Sequence, residues 1–148
     1  MILYADTSAV VKAVLLEPGT SEVDEWFLQA EEVASSVITY AEACAALGRS
    51  DRRNGPDPVA LRARIEELDA QWNEFVVLPV EERAAGRAAL KHSLRGMDAV
   101  QLSAAIALRA AAREHAPDAE VVFAAFDRRL LEAAEREGFA TLGGPLAT

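Results

Sequence analysis

Four acids in this chain stand where one segment ends and another begins. Asp6 closes the apolar run "ILYA", Glu42 follows a junction near Ser36, Asp98 comes two residues after Gly96, and Asp127 follows "EVVFAAF". Carboxylates gathered in one cleft repel each other and call for a cation. An all-oxygen set without histidine or thiol beside it suits magnesium or manganese. Magnesium keeps several waters, and such a site can direct one of them at a phosphate. Two ions ~3.5–4 Å apart would clamp both the attacking and the leaving oxygen of an in-line displacement. The hydroxyls of Thr7 and Ser8 could orient Asp6.

Each acid also has an unremarkable reading as a helix cap. Asp6 and Asp127 are good N-cap residues. Thr39-Tyr40-Ala41-Glu42 spells a capping box, T-x-x-E. Asp98 could simply complement a helix dipole. Capping accounts for every acid singly; a metal site accounts for the set.

For the four to meet, the elements carrying them must place their ends together. Residues 2–5 read as a short buried strand and 8–16 as a helix stopped by "EPG". Helical spacing of Val23, Trp26, Phe27 and Ala30 predicts a second helix over 21–30, followed by a short strand over 33–36. A helix opens at Thr39, with Glu42 in its first turn, and fades near Asn54-Gly55. Pro58 starts the next, which runs to about Glu74. "FVVLP", 75–79, reads as a buried strand. Helices over 80–95 and 97–115, a strand over 120–126, a helix closed by Gly138 and a last strand over 139–142 complete the chain. This alternation predicts an α/β fold with a central, mostly parallel sheet covered by helices on both faces. In open sheets of this kind ligands bind beyond the carboxyl ends of the strands.

A length of 148 residues suits a single domain over 1–148, and 51% apolar residues can build its core. No run approaches the ~18 apolar residues of a membrane span. The N-terminus lacks a signal-peptide pattern, so no membrane partner and a cytoplasmic location are expected. One cysteine, Cys44, excludes an internal disulfide framework and a cysteine zinc site. The net charge of −9, with a pI near 4.7, is the reverse of an ordinary nucleic-acid binder. Local charge decides more at a site than the total does.

"ILYADTSAVVK", "TYAEACAAL", "LRGMDAVQLSAA" and "FAAFDRRLLEAA" together resemble the four motifs of PIN-domain nucleases. The closest likeness is to the VapC-type toxins of bacterial toxin–antitoxin pairs. It covers nearly the whole chain in order, from Ile2 to about Phe139. A PIN-like domain is thereby expected, acting as a Mg2+- or Mn2+-dependent endoribonuclease. The resemblance makes Asp6, Glu42, Asp98 and Asp127 both the catalytic acids and the metal ligands. It further implies a homodimer and inhibition by a cognate antitoxin protein whose tail enters the acidic cleft. The chain departs from the family at Ala125, where members often carry threonine or serine.

The remaining candidates are weaker. Arg83, Arg87, Lys91 and Arg95 recur every four residues and could track an RNA backbone, or form a solvated helix face. Arg49, Arg52 and Arg53 suit a helix C-terminus, and Arg128 and Arg129 a surface beside Asp127. His92 and His115 would be needed for metal-free RNA cleavage, but nothing in the sequence brings them together. Trp26, Trp72, Phe126 and Cys44 read as packing residues. Among rival functions, a haloacid-dehalogenase phosphatase wants a second acid where Ser8 stands. A receiver-type phosphoacceptor wants a lysine at a late strand end, and the only lysines are Lys12 and Lys91. A non-catalytic PIN-like interaction protein could dispense with some of the four acids, yet all are present.

Overall fold

The structure, a computed structural model, describes residues 1–145. Its centre is a five-stranded sheet of β1 (Ile2–Ala5), β2 (Glu32–Ser36), β3 (Val76–Leu78), β4 (Val121–Ala125) and β5 (Ala140–Gly143). Every pairing is parallel, in the order β3-β2-β1-β4-β5. Seven helices connect the strands: α1 (Thr7–Val14), α2 (Thr20–Gln29), α3 (Ile38–Asn54), α4 (Pro58–Trp72), α5 (Glu82–His92), α6 (Gly96–His115) and α7 (Arg128–Arg136). The expected α/β fold and its helix-covered parallel sheet are therefore present.

Both central strands are buried along their full length, as befits a parallel sheet covered on two faces. Alternate residues of β1 point to opposite faces. Ile2 and Tyr4 join a core with α6 and α7, while Leu3 and Ala5 join one with α1, α3 and α4. Burial of a side chain such as Leu3, Leu102 or Phe123 contributes about 1.5–3 kcal/mol. On α6 the small residues Ala99, Ala104, Ala105 and Ala112 are all buried, which lets this helix lie close to the sheet.

Three local expectations need correction. "FVVLP" yields an edge strand rather than a buried one, with Val76 and Val77 about 40% and 39% exposed. α3 begins at Ile38, so Thr39 is inside the helix, Glu42 lies past its first turn, and the N-cap position, Val37, has no side-chain bond. The capping box is not formed. The basic stripe also breaks: α5 ends at His92, Ser93 turns left-handed at φ 53°, and Arg95 becomes the N-cap position of α6.

Glycine is required at one joint near the carboxyl edge of the sheet. Gly143 has φ 105°, and a Cβ there would lie 2.0 Å from the Ala125 carbonyl oxygen. The N–H of Gly144 donates to the same oxygen at 3.1 Å, which pins β5 against the end of β4.

Candidate functional site

The chain leaves β1 toward β2 on one side and leaves β4 toward β5 on the other, while β1 and β4 are neighbours. This is a topological switch point, where an α/β sheet opens a crevice beyond its carboxyl edge. Asp6 follows β1 and Asp127 closely follows β4, so both acids flank that crevice. Asp98 reaches it from the first turn of α6. Asp6, Asp98 and Asp127 line one cleft together with Thr7, Ser8, Lys12 and Phe126.

Asp6 does act as an N-cap, accepting from the Ala9 N–H at 3.0 Å, but it does more. Its Oδ1 also accepts from Ser8 Oγ at 2.6 Å, and Ser8 Oγ accepts from the Phe126 N–H at 2.9 Å. One hydroxyl thus ties the end of β1 to the end of β4. Asp6 is 5% exposed. Burial pushes its carboxyl up to about 7, and the charge of Asp98 adds to the rise, against the hydrogen bonds from Ser8 and Ala9.

Asp98 is likewise raised, by burial first and then by the charge of Asp127, with Arg95 opposing. Asp127 caps α7 by accepting from the Leu130 N–H at 2.9 Å. Arg95 stands between the two, with Nε 3.5 Å from Asp98 Oδ2 and Nη2 4.0 Å from Asp127 Oδ2. Its side chain is 80% exposed, so this contact is loose and screened.

Glu42 joins the site less directly. Its Oε1 accepts from Thr7 Oγ1 at 2.6 Å and from Gln101 Nε2 at 3.4 Å, and its charge contributes to the rise at Asp98. Behind it lies a buried polar network that the sequence reading missed. Tyr4 O–H donates to Gln101 Oε1 at 2.7 Å, and Gln101 Nε2 donates to Thr39 Oγ1 at 2.9 Å and Thr7 Oγ1 at 3.1 Å. Ser35 Oγ lies 2.8 Å from Thr39 Oγ1 and 2.7 Å from the Ala5 carbonyl oxygen. Two spacings pointed toward it: Gln101 is three residues past Asp98 on α6, and Tyr4 is two before Asp6 on β1.

The other candidates do not converge on the cleft. His92 is buried and 2.6 Å from Glu137, whereas His115 ends α6, whose 20 residues span ~30 Å. Lys91 also binds Glu137, at 2.6 Å. Arg128 pairs with Glu132, and Arg129 donates to the Ser93 carbonyl oxygen. Trp26 stacks on Phe126, Trp72 packs against Tyr40 and Phe75, and Cys44 packs into the core under α3. Ala125 is fully buried in the opposite core.

The donor set has the chemistry of a hard-cation site: oxygen ligands only, two with raised carboxyls, crowded by like charge. Among the described residues, no group of three or more histidine, cysteine, aspartate and glutamate side chains is placed so that it could hold a metal ion together. Magnesium does not require one, since it takes one or two carboxylates and keeps water in its other positions. The residues fit such an ion.

Comparison with known proteins bears on the family and the fold. Residues 3–136 match the family model for the PIN domain. Ribonuclease VapC49 of Mycobacterium tuberculosis (strain ATCC 25618 / H37Rv) is 31% identical over 144 residues, covering 93% of this chain and 92% of its own. Ribonuclease VapC47 of M. tuberculosis (strain CDC 1551 / Oshkosh) is 32% identical over 148 residues, covering 95% of each. Among solved structures, PAE2754 from Pyrobaculum aerophilum superimposes with a TM-score of 0.62 at 22% identity, over 95% of this chain and 83% of the other. The toxin VapC20 of M. tuberculosis gives 0.57 at 16% identity, over 93% and 96%. At these identities the solved structures speak to the fold alone. Among the described residues, no helix is long and apolar enough to cross a membrane.

Proposed function

This chain belongs to the PIN domain family, and from that premise we propose that it is an endoribonuclease toxin that needs Mg2+ or Mn2+. The observation that carries the reading is the meeting of Asp6, Asp98 and Asp127 at the switch point, two of them with carboxyls raised by burial and by a neighbouring carboxylate. The names of its relatives supply the substrate class, ribonuclease.

Asp6, Asp98 and Asp127 would hold the cation, with Glu42 completing the set. When bound, such an ion neutralises the carboxylates and polarises both the scissile phosphate and an attacking water. The protein's own part is orientation. Ser8 fixes Oδ1 of Asp6, and Thr7 fixes Oε1 of Glu42. Lys12, held at 2.9 Å by Glu17 and lying over the Phe126 ring, offers a positive charge to RNA phosphates from the cleft wall. Arg95 offers a second from the other side of the acids. Both soften a cleft that would otherwise repel a polyanion.

The partner of this reading is a cognate antitoxin, supported by fold neighbours that are themselves VapBC and FitAB complexes. A homodimer and one domain over the whole chain belong to the same proposal. Its test is cleavage of a mixed RNA pool by antitoxin-free protein, with Mg2+, with Mn2+ and with chelator. Metal-dependent cuts leaving 5′-phosphate and 3′-hydroxyl ends are expected. Cyclic-phosphate ends that persist in chelator would overturn the reading.

A further inference from the structure

We propose that Gln101 is a positioning residue: through Thr7 it aims the Glu42 carboxylate at the cation the cleft would hold, an inference that rests on the metal-site reading above. The direction of the protons carries the argument. Tyr4 is fully buried, and its phenol, protonated at neutral pH, must place its O–H on an acceptor. That acceptor is Gln101 Oε1 at 2.7 Å. Fixing Oε1 turns the other end of the amide, which can only donate, toward Thr39, Thr7 and Glu42.

Both hydroxyls then receive a bond from Gln101 and send their own protons onward. Thr39 Oγ1 meets Ser35 Oγ at 2.8 Å, and Ser35 Oγ donates to the carbonyl oxygen of Ala5, the residue before Asp6. Thr7 passes its proton to Glu42 Oε1 at 2.6 Å. Two branches leave one buried amide: one ends on the β1 backbone at Ala5, the other on the Glu42 carboxylate. Gln101 sits one helical turn from Asp98, and of the four acids its hydrogen bonds reach only Glu42, through Thr7 and at 3.4 Å directly. Among the described residues, no hydrogen bond engages Oε2 of Glu42, which leaves that oxygen for the ion.

A glutamine that merely filled the core would tolerate an isostere; a positioning donor would not. Gln101→Glu keeps the shape and removes both amide N–H donors, and Gln101→Leu removes the polar end. The experiment is titration of purified protein with Mn2+ alone, followed by electron paramagnetic resonance, with melting temperature recorded beside it. Both variants are expected to bind Mn2+ about 10–100-fold more weakly, the usual effect of losing an outer hydrogen bond to a ligand. Thr7→Val, at a half-buried position, tests the same branch if a Gln101 variant fails to fold. In a Glu42→Gln background, adding Gln101→Leu should change Mn2+ affinity no further. Unchanged affinity in a folded Gln101→Glu protein would overturn the proposal, as would a full additional loss in the Glu42→Gln background. Absence of saturable Mn2+ binding in the unsubstituted protein would instead overturn the metal site itself, and this inference with it.

Discussion

Two places in the molecule gather charged side chains, and they treat a carboxylate in opposite ways. Behind α5 and α7, Glu137 takes Lys91 Nζ and His92 Nε2 on the same oxygen, each at 2.6 Å. The bonds from Lys91 and then His92 hold its carboxyl below the ordinary range. At the end of β1, burial holds Asp6 up at about 7, and Asp98 is raised beside it. Glu137 has its cations built in; the cleft has two hydroxyl-supported acids, a loose, exposed arginine and a lysine already paired with Glu17. A protein that wanted only stability would have arranged both places like the first. The contrast separates charge placed to hold the fold from charge left over for something the fold receives.

The sharpest way to break this comparison is to neutralise one carboxylate in each place. Asp98→Asn should reduce RNA cleavage by roughly two orders of magnitude or more, since a direct ligand matters more than an outer one. The same change should raise the melting temperature in chelator by a few degrees, because it removes a repelled charge. Glu137→Gln should do the reverse, leaving cleavage within about twofold while lowering stability by ~1 kcal/mol, the worth of a weakened hydrogen-bonded pair. Loss of activity in both variants, with stability unchanged, would erase the distinction. Thermal melts and a fixed RNA substrate measure both effects.

A smaller effect sharpens the comparison through pH. Asp6 binds a proton more tightly folded than unfolded, so between about pH 4 and pH 7 the folded state carries the extra proton. Stability of the chelated protein should therefore fall as pH rises through that window, and level off above it. A drop of ~1 kcal/mol corresponds to roughly 3 °C in melting temperature. Asp98 has the same sign, and added Mn2+ should flatten the decline by giving the ionised carboxylates a partner. Glu137 works oppositely: its contribution is present above the ordinary glutamate range and is lost as pH falls toward acid. A chelated protein that gains stability steadily from pH 5 to pH 8 would contradict the assignment at Asp6.

Much of this was legible in the chain before folding. Apolar runs that stop on an acid gave β1 with Asp6 and β4 with Asp127, since a buried parallel strand shows as a short uninterrupted apolar stretch. The alternation of strands and helices gave the layers. What escaped was decided by distant parts of the molecule. "FVVLP" is as apolar as a central strand, but only the strand order makes β3 an edge. The capping box at Thr39 failed because α3 starts earlier and Thr39 is taken by Ser35 and Gln101. The spacing of Gln101 from Asp98 hinted at its place, but its partners could not be read from the sequence, because they lie 97, 94, 62 and 59 residues away. Arg95 looked like the last residue of a stripe until Ser93 turned the chain and sent it to the acids.

The strand order has one more consequence, for the moment of synthesis. A ribosome delivers β1, β2 and β3 first, yet β4 must lie beside β1 at the middle of the sheet. Until residues 121–125 emerge, β1 has an open edge, and the Asp6 N–H lacks its bond to the Ala124 carbonyl. Asp127 arrives later still. A nascent chain therefore carries most of its acids without a crevice to gather them, and the cleft comes into being only once residues 121–127 have left the ribosome.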